Sequence, residues 1–356
     1  MDNIIKRIFS TPSAEVLDIK TVLPNRKSRS YDCYTAVIMS GGIIVLGMHR
    51  SGTSLVSEMV HRWGAFGRIV DCLPANQWNA RGYWELTPLV DFNNRLLAAL
   101  GASWYCPPNE RDNVRLAEFA SQSKYRDEAL GLLASMQSGV RGSWFWKDPR
   151  LSLLLPFWQQ LWGEVRYVIC VRDPLEICRS LRERDDLSFG VSIVLWQRYM
   201  LAILEATRKA PAIFVNYRAL LQNSAGECRR LSRFLEGSSG AVSSNSAASA
   251  MRGAVDAELR HYATKARHGQ VRFSERQTAL QELLERLGRC GAMREEPNLR
   301  DYALPTLWRS VLQTNLLLRR CWRRWNRLFQ TSPRLFLHWQ TRPVSTIFRK
   351  PWPWAR

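Results

Sequence analysis

The stretch that decides the fold is GGIIVLGMHRSGTSLVSEMVHRWG, residues 41–64. Its run IIVLG (43–47) predicts a buried parallel strand, because the run is unbroken, apolar and ends in glycine. The residues from Ser51 to Trp63 predict a helix that follows directly. A buried strand joined to a helix by a short loop is typical of anion-binding sites, because the N-terminal N–H groups and the dipole of the helix favour negative charge there.

Three further segments have the composition of buried strands. They are WFWKD (144–148), VRYVICV (165–171) and AIFVNY (212–217). Helical stretches lie between them, and strands that alternate with helices form parallel sheets. The sequence therefore predicts a three-layer α/β domain, with a central parallel sheet of about five strands and helices on both faces, similar to P-loop NTPases.

The charge balance is strongly basic and uneven along the chain. The 356 residues include 51 Lys and Arg against 31 Asp and Glu, a net charge of +20. Residues 301–356 hold ten Arg, one Lys and one Asp, so that 11 − 1 = +10 lies in this tail. Such a balance favours acidic partners such as phosphates, sulfates, anionic lipids and polyanionic glycans. No nucleic acid is expected, since no helix-turn-helix or zinc-finger motif accompanies the charge.

The tail also carries an apolar stripe beside an Arg-rich face at residues 308–327, and six of the 15 Trp lie between 308 and 354. This pattern favours peripheral contact with a membrane surface or docking of an acidic partner, and a helix packed on the core is the alternative. The N-terminus lacks the apolar segment of a signal peptide, and the eight cysteines form no CxxC pair. We therefore expect a cytoplasmic protein with reduced cysteines.

The loop after the first strand departs from the ATP-binding pattern GxxxxGK[ST] in one position. Gly47 and Gly52 have the required spacing and Ser54 fills the last position, but Thr53 stands where the lysine belongs. Arg50 lies inside the loop instead, and its forked guanidinium suits phosphate or sulfate oxygens. The loop therefore predicts an anion site whose cation is Arg50.

The segment VLGMHRSGTSL (45–55) resembles the 5′-phosphosulfate loop of the sulfotransferases, especially the bacterial and heparan-modifying ones. That family uses 3′-phosphoadenosine 5′-phosphosulfate (PAPS) as the sulfuryl donor, and no metal is expected. The resemblance implies that Arg50, Ser51, Gly52, Thr53 and Ser54 hold the 5′-phosphosulfate. It also implies that Arg50 acts on the group being transferred.

The third strand resembles the family's second half-site. The family binds the 3′-phosphate with an Arg at a strand end and a Ser eight residues later, and Arg172 and Ser180 have that spacing. In FVNYRALLQN (214–223), Tyr217 resembles the family's tyrosine at the adenine end, although packing against a helix would explain it equally well. A kinase would not need a site for a 3′-phosphate.

Candidates for the acceptor side lie in NARGYWELTP (79–88) and WFWKDPR (144–150). The resemblance implies that Glu85 removes the acceptor proton and that Lys147 stabilises the leaving oxygen. Asp148 is the rival base, or else pairs with Lys147 or Arg150. His49 lies within the loop, as a contact to the donor or as a spacer.

The resemblance divides the chain into an N-terminal extension (1–38), a sulfotransferase domain (39–300) and the basic tail (301–356). Its core is 40–235, followed by a flexible loop (236–250) rich in Gly, Ser and Ala. The implied function is in-line sulfuryl transfer from PAPS to a hydroxyl, expected on a glycan or glycolipid. The alternatives are a P-loop small-molecule kinase and a non-catalytic module that binds polyanions or membranes.

Overall fold

The structure, a computed structural model, describes residues 41–67, 71–79, 81–137, 140, 142–236, 244–255, 273–290, 297–304 and 312–313. The predicted extension (1–38) lies outside the described residues, and so does nearly all of the basic tail (301–356). The predictions for these two segments therefore stay predictions.

The described part of the chain forms a sheet of four parallel strands in the order β2-β1-β3-β4. The strands are β1 (Gly42–Leu46), β2 (Trp144–Lys147), β3 (Val165–Val171) and β4 (Ala212–Asn216). About five strands were predicted, and the four segments named from the sequence are the four that form. Because all strands run in the same direction, the loops that follow them gather at one edge of the sheet.

Helices connect the strands and continue beyond the last one. In the described residues they are α1 (Thr53–Trp63), α2 (Thr87–Ala99), α3 (Asp112–Phe119), α4 (Ser123–Gln137), α5 (Leu151–Trp158), α6 (Pro174–Asp185), α7 (Phe189–Thr207), α8 (Tyr217–Gln222), α9 (Ser224–Glu236), α10 (Ser244–Arg252) and α11 (Glu275–Cys290). A 3₁₀ turn follows at Leu299–Tyr302.

The two faces of the sheet bury separate sets of side chains, because successive residues of a strand point to opposite faces. Ile43 and Val45 of β1 pack in one cluster with α1, α9 and α10. Ile44 and Leu46 pack in the other with α2, α5, α7 and α11. The predicted three-layer α/β fold, with helices on both faces of a parallel sheet, is confirmed.

Two helices of the structure were not recognised as helices in the sequence. In α5 every residue except Pro156 is buried, so its apolar run shows no helical periodicity from which a helix could be read. The prediction of a flexible loop at 236–250 is wrong for the second half of that segment, where α10 begins at Ser244. The small side chains of Ala247 and Ala248, with Met251, are buried there, so a segment that reads as a linker packs as a helix.

Helix α7 is long and apolar enough to cross a membrane when only length and composition are considered. In the structure 67% of that helical window is buried inside the protein. Trp196 and Tyr199 are among its most buried side chains. The helix packs against α5 and α6 as part of the core, which accounts for its apolar composition.

Candidate active site

The loop between β1 and α1 forms an open cradle for an anion. Helix α1 begins after Gly52, whose φ of 93° is left-handed, and no side chain of the described residues caps this helix end. The first N–H groups of a helix have no partner within it, so they are available to a ligand. The Ser51 hydroxyl is buried beside them and has no hydrogen-bond partner among the described residues. These unsatisfied donors fit a bound phosphate or sulfate.

Arg50 connects this loop to the second predicted half-site. Its backbone adopts a left-handed φ of 70°. Its Nε donates to the hydroxyl of Ser180 at 2.6 Å, and its Nη1 donates to the carbonyl of Trp78 at 3.0 Å. The cation of the loop and the serine of α6 were predicted from separate motifs, and the fold places them in direct contact.

Arg172, at the end of β3, completes this group. Its Nη1 donates to the carbonyl of Arg50 at 3.0 Å, and its guanidinium lies 4.4 Å from the ring centre of Tyr217. Its Nε donates to the carboxylate of Glu176 at 2.9 Å, an ion pair one helical turn along α6. The structure therefore brings together Arg50, Arg172, Ser180 and Tyr217, all predicted as donor-binding residues.

Glycine is required at position 52 for two reasons. A side chain would be strained at this left-handed φ, and a Cβ atom there would lie 2.5 Å from Cδ2 of Tyr217. The tyrosine ring therefore packs directly on the loop backbone. Burial is the main cause that raises the pKa of the Tyr217 hydroxyl above its usual value, so this side chain stays neutral.

Lys147 and Glu85 form a buried ion pair on the other side of the loop. Lys147 Nζ donates to Glu85 Oε1 at 2.6 Å, to the carbonyl of Tyr83 at 2.6 Å and to the Ser54 hydroxyl at 3.4 Å. The second oxygen of Glu85 lies 3.3 Å from Nη1 of Arg150. The predicted base and the predicted oxygen-stabilising lysine are therefore neighbours, and each is engaged with the other.

Asp148, the rival base, lies at the centre of a hydrogen-bonded network. Its Oδ1 accepts from the backbone N–H and from Nη1 of Arg150, both at 2.9 Å. Its Oδ2 accepts from Asn93 at 2.8 Å, and Asn93 in turn accepts from the indole N–H of Trp158. The carboxylate is completely buried, so these contacts favour a role in holding Arg150 rather than in meeting an acceptor.

His49 is buried against aromatic rings at the edge of the same site. Its ring centre lies 4.6 Å from that of Trp104 and 6.1 Å from that of Tyr199. Burial, and then the nearby cations of Arg150, Arg184, Lys147 and Arg50, hold the pKa of His49 well below its ordinary value. The imidazole is therefore neutral at physiological pH.

Three residues that contact this site were not assigned to it from the sequence. The segment before Glu85 closes against the loop, where Asn79 donates to the Ser54 hydroxyl at 3.0 Å and Trp78 offers its carbonyl to Arg50. A backbone carbonyl leaves no side-chain signal, so Trp78 could not have been found. Glu176 could have been found, because it lies four residues after Arg172 and its acidic side chain suits an ion pair at that spacing.

The protein has a parallel sheet, a loop that departs from the Walker pattern by lacking its lysine, and an Arg/Ser pair beside that loop, so it is an α/β protein whose site fits a phosphate or sulfate group. A model of the Sulfotransferase family matches residues 42–238, more than half of the chain. The chain belongs to this family, as its loop and its second half-site predicted. Among curated protein sequences none matches this chain.

The solved structures that are similar to this chain include three sulfotransferases or sulfotransferase domains. The sulfotransferase domain of the Synechococcus PCC 7002 olefin synthase is 16% identical, with a TM-score of 0.39, over 77% of this chain and 94% of that one. The sulfotransferase domain from the curacin biosynthetic pathway is 16% identical, with a TM-score of 0.40, over 68% and 96%. A sulfotransferase from Mycobacterium avium is 17% identical, with a TM-score of 0.36, over 78% and 76%. Likeness at this level transfers no residue role to this chain.

Proposed function

We propose that this member of the sulfotransferase family moves a sulfuryl group from PAPS to a hydroxyl of a glycan or glycolipid. The observation that carries the proposal is the contact between the two predicted half-sites, where Arg50 of the loop donates to Ser180 and accepts from Arg172 through its carbonyl. A donor that carries phosphate groups at both ends of its ribose needs two adjacent cationic sites of this kind.

The residues present fit such a donor. The N-terminus of α1, with the Ser51 hydroxyl and the side chain of Arg50, would hold the 5′-phosphosulfate. Arg172 and Ser180 would hold the 3′-phosphate, and a phosphate there would take the place of Glu176 beside Arg172. Tyr217 would face the adenine end. Gly52, Thr53 and Ser54 contribute the backbone N–H groups of the first helical turn.

Transfer of a sulfuryl group needs positive charge where the leaving oxygen develops negative charge, and it needs a base for the acceptor proton. Lys147 Nζ lies 3.4 Å from the Ser54 hydroxyl at the start of α1. A donor bound at this helix end would place its leaving oxygen near the Lys147 ammonium. In this proposal Lys147 turns from Glu85 toward the donor. This movement of the Lys147 side chain frees one oxygen of Glu85, which then accepts the proton of the acceptor hydroxyl. Positioning and electrostatics supply most of the rate, as in phosphoryl transfer.

The acceptor class rests on charge and composition. The net charge of +20 suits an acidic carbohydrate or lipid surface, and half of it lies in the tail. We propose that the tail brings the cytoplasmic enzyme to a membrane surface or to an acidic glycan. The glycolipids of a membrane surface and acidic glycans both carry hydroxyl groups next to negative charge.

The test is transfer of ³⁵S from labelled PAPS into an extract of the source cells, separated into lipid, polysaccharide and small-molecule fractions. Label in the lipid or polysaccharide fraction is the expected result. A Lys147→Met variant should lose roughly 10²–10³-fold in rate, because one group that stabilises the leaving oxygen is gone. The proposal would be contradicted if the wild-type protein transferred no ³⁵S to either fraction, or if the Lys147→Met variant transferred as much as the wild type.

A further inference from the structure

His49 carries a buried polar atom that the proposed mechanism does not use. The residue is 7% exposed, and its Nε2 has no hydrogen-bond partner among the described residues. A buried polar atom without a partner is costly, and where it lies beside a proposed binding site a ligand can satisfy it. Another such atom among the described residues is the Ser51 hydroxyl, which lies in the proposed donor site.

The imidazole is held firmly in place. Its ring contacts Trp104 and Tyr199, and the Tyr199 hydroxyl donates to the carbonyl of Trp104 at 2.9 Å, which ties the two aromatic residues together. His49 directly precedes Arg50, so its backbone belongs to the loop that would hold the phosphosulfate. A rigid ring at this place would meet a molecule that approaches the donor from the side of Trp104.

The charges around His49 keep its lone pair available. The cations that face it are Arg50 of the loop, Lys147 at the end of β2, Arg150 before α5 and Arg184 of α6. They disfavour a second proton on the ring, so that one of its two nitrogens remains an acceptor. Tyr199 of α7 faces it as well, and burial keeps that hydroxyl neutral by raising its pKa.

The two carboxylates of the site are less suited to receive an acceptor in the observed arrangement. Glu85 contacts Lys147 with one oxygen and Arg150 with the other. Both oxygens of Asp148 accept hydrogen bonds within the network that holds Arg150. Of these three side chains, the imidazole is the one with a polar atom that has no hydrogen-bond partner among the described residues.

Building on the proposed function, we propose that Nε2 of His49 accepts a hydrogen bond from a hydroxyl of the acceptor. The acceptor would approach the loop from the side of Trp104, whose ring contacts the imidazole. His49 thereby orients the hydroxyl toward the sulfuryl group, and Glu85 then takes its proton. The subsite selects for hydroxylated molecules and against cationic ones, because the positive charges of Arg50, Lys147, Arg150 and Arg184 act on the imidazole.

Two substitutions separate the hydrogen bond from the packing of the ring. His49→Phe keeps an aromatic ring against Trp104 and removes Nε2, and His49→Gln replaces Nε2 by an amide that can accept. His61→Gln is the matched control, because His61 of α1 also has a buried ring nitrogen, Nδ1, that finds no hydrogen-bond partner in the described part of the chain, and its ring lies against Trp84. Binding of 3′-phosphoadenosine 5′-phosphate (PAP), the spent donor, is measured by calorimetry for every protein. ³⁵S transfer from PAPS is measured over a dilution series of the cell extract.

The proposal predicts that all four proteins bind PAP equally, to within about threefold, which also shows that the variants fold. His49→Phe should transfer sulfate about 10–100-fold more slowly at limiting extract, since loss of one hydrogen bond to a substrate costs of the order of 1–3 kcal/mol. His49→Gln should recover most of that loss, and His61→Gln should match the wild type.

Equal transfer rates in the wild type and His49→Phe, with PAP bound by both, would overturn the inference and leave the proposed donor intact. A loss in His49→Gln as large as in His49→Phe would also overturn it, since the imidazole would then act through its shape alone. Failure of the wild-type protein to bind PAP would overturn the proposed function and, with it, the inference.

Discussion

The buried pair of Glu85 and Lys147 predicts an unequal response to removal of its two members. Lys147 is 1% exposed and Glu85 4% exposed. In Glu85→Leu the buried ammonium keeps, among the described residues, the carbonyl of Tyr83 and the Ser54 hydroxyl as its hydrogen-bond partners. In Lys147→Met the carboxylate keeps Arg150 at 3.3 Å. An uncompensated buried charge costs about 3–5 kcal/mol, so Glu85→Leu should reach this range and Lys147→Met should stay below it.

The double variant Glu85→Leu/Lys147→Met removes both charges and should recover much of the stability, because an apolar pair of similar volume often replaces a buried ion pair at little cost. Urea unfolding of the four proteins measures the coupling energy, which should be about 2–3 kcal/mol. The double variant should remain inactive in ³⁵S transfer. Additive losses would refute this reasoning, since they would mean that neither charge depends on the other.

Three further predictions concern the loop, the cysteines and pH. Gly52→Ala forces a Cβ atom toward Tyr217 at a left-handed φ, so it should cost about 1–3 kcal/mol in urea unfolding and weaken PAP binding. Burial raises the pKa of Cys170 to about 12, so iodoacetamide at mildly alkaline pH should label exposed Cys290 before Cys170, as read by mass spectrometry. The pKa of folded His49 lies below its unfolded value, so unfolding takes up a proton as pH falls below about 6.5. The wild type should then lose up to about 1.4 kcal/mol per pH unit relative to His49→Phe.

Much of the fold could be predicted from the sequence, because buried parallel strands appear as unbroken apolar runs. IIVLG, WFWKD, VRYVICV and AIFVNY all became strands of one sheet. Helix α5 could not be predicted in the same way, because a helix buried on all sides has no polar face to set its period. Helix α10 was hidden by its small residues, whose burial depends on the neighbouring α1 and α9 rather than on local preference.

The donor half of the site was more predictable than the acceptor half. Loop spacing and strand ends determine where Arg50 and Arg172 lie, so two sequence motifs could predict a shared position. The acceptor side depends on long-range pairing. The contact of Glu85 with Lys147 joins residues 62 positions apart, and Trp104 reaches His49 from a segment that carries no motif. Such contacts follow from packing, which local patterns do not encode.

Calorimetric titration with PAP, compared with ADP, tests the central claim most directly. The account predicts that the wild-type protein binds PAP at least tenfold more tightly than ADP, because Arg172 and Ser180 contact a 3′-phosphate that ADP lacks, and one charged hydrogen bond is worth about 1.5–3 kcal/mol. It also predicts that Arg172→Ala abolishes this preference. Equal binding of PAP and ADP by the wild-type protein would contradict the account, since the cluster of Arg50, Arg172 and Ser180 would then hold no 3′-phosphate.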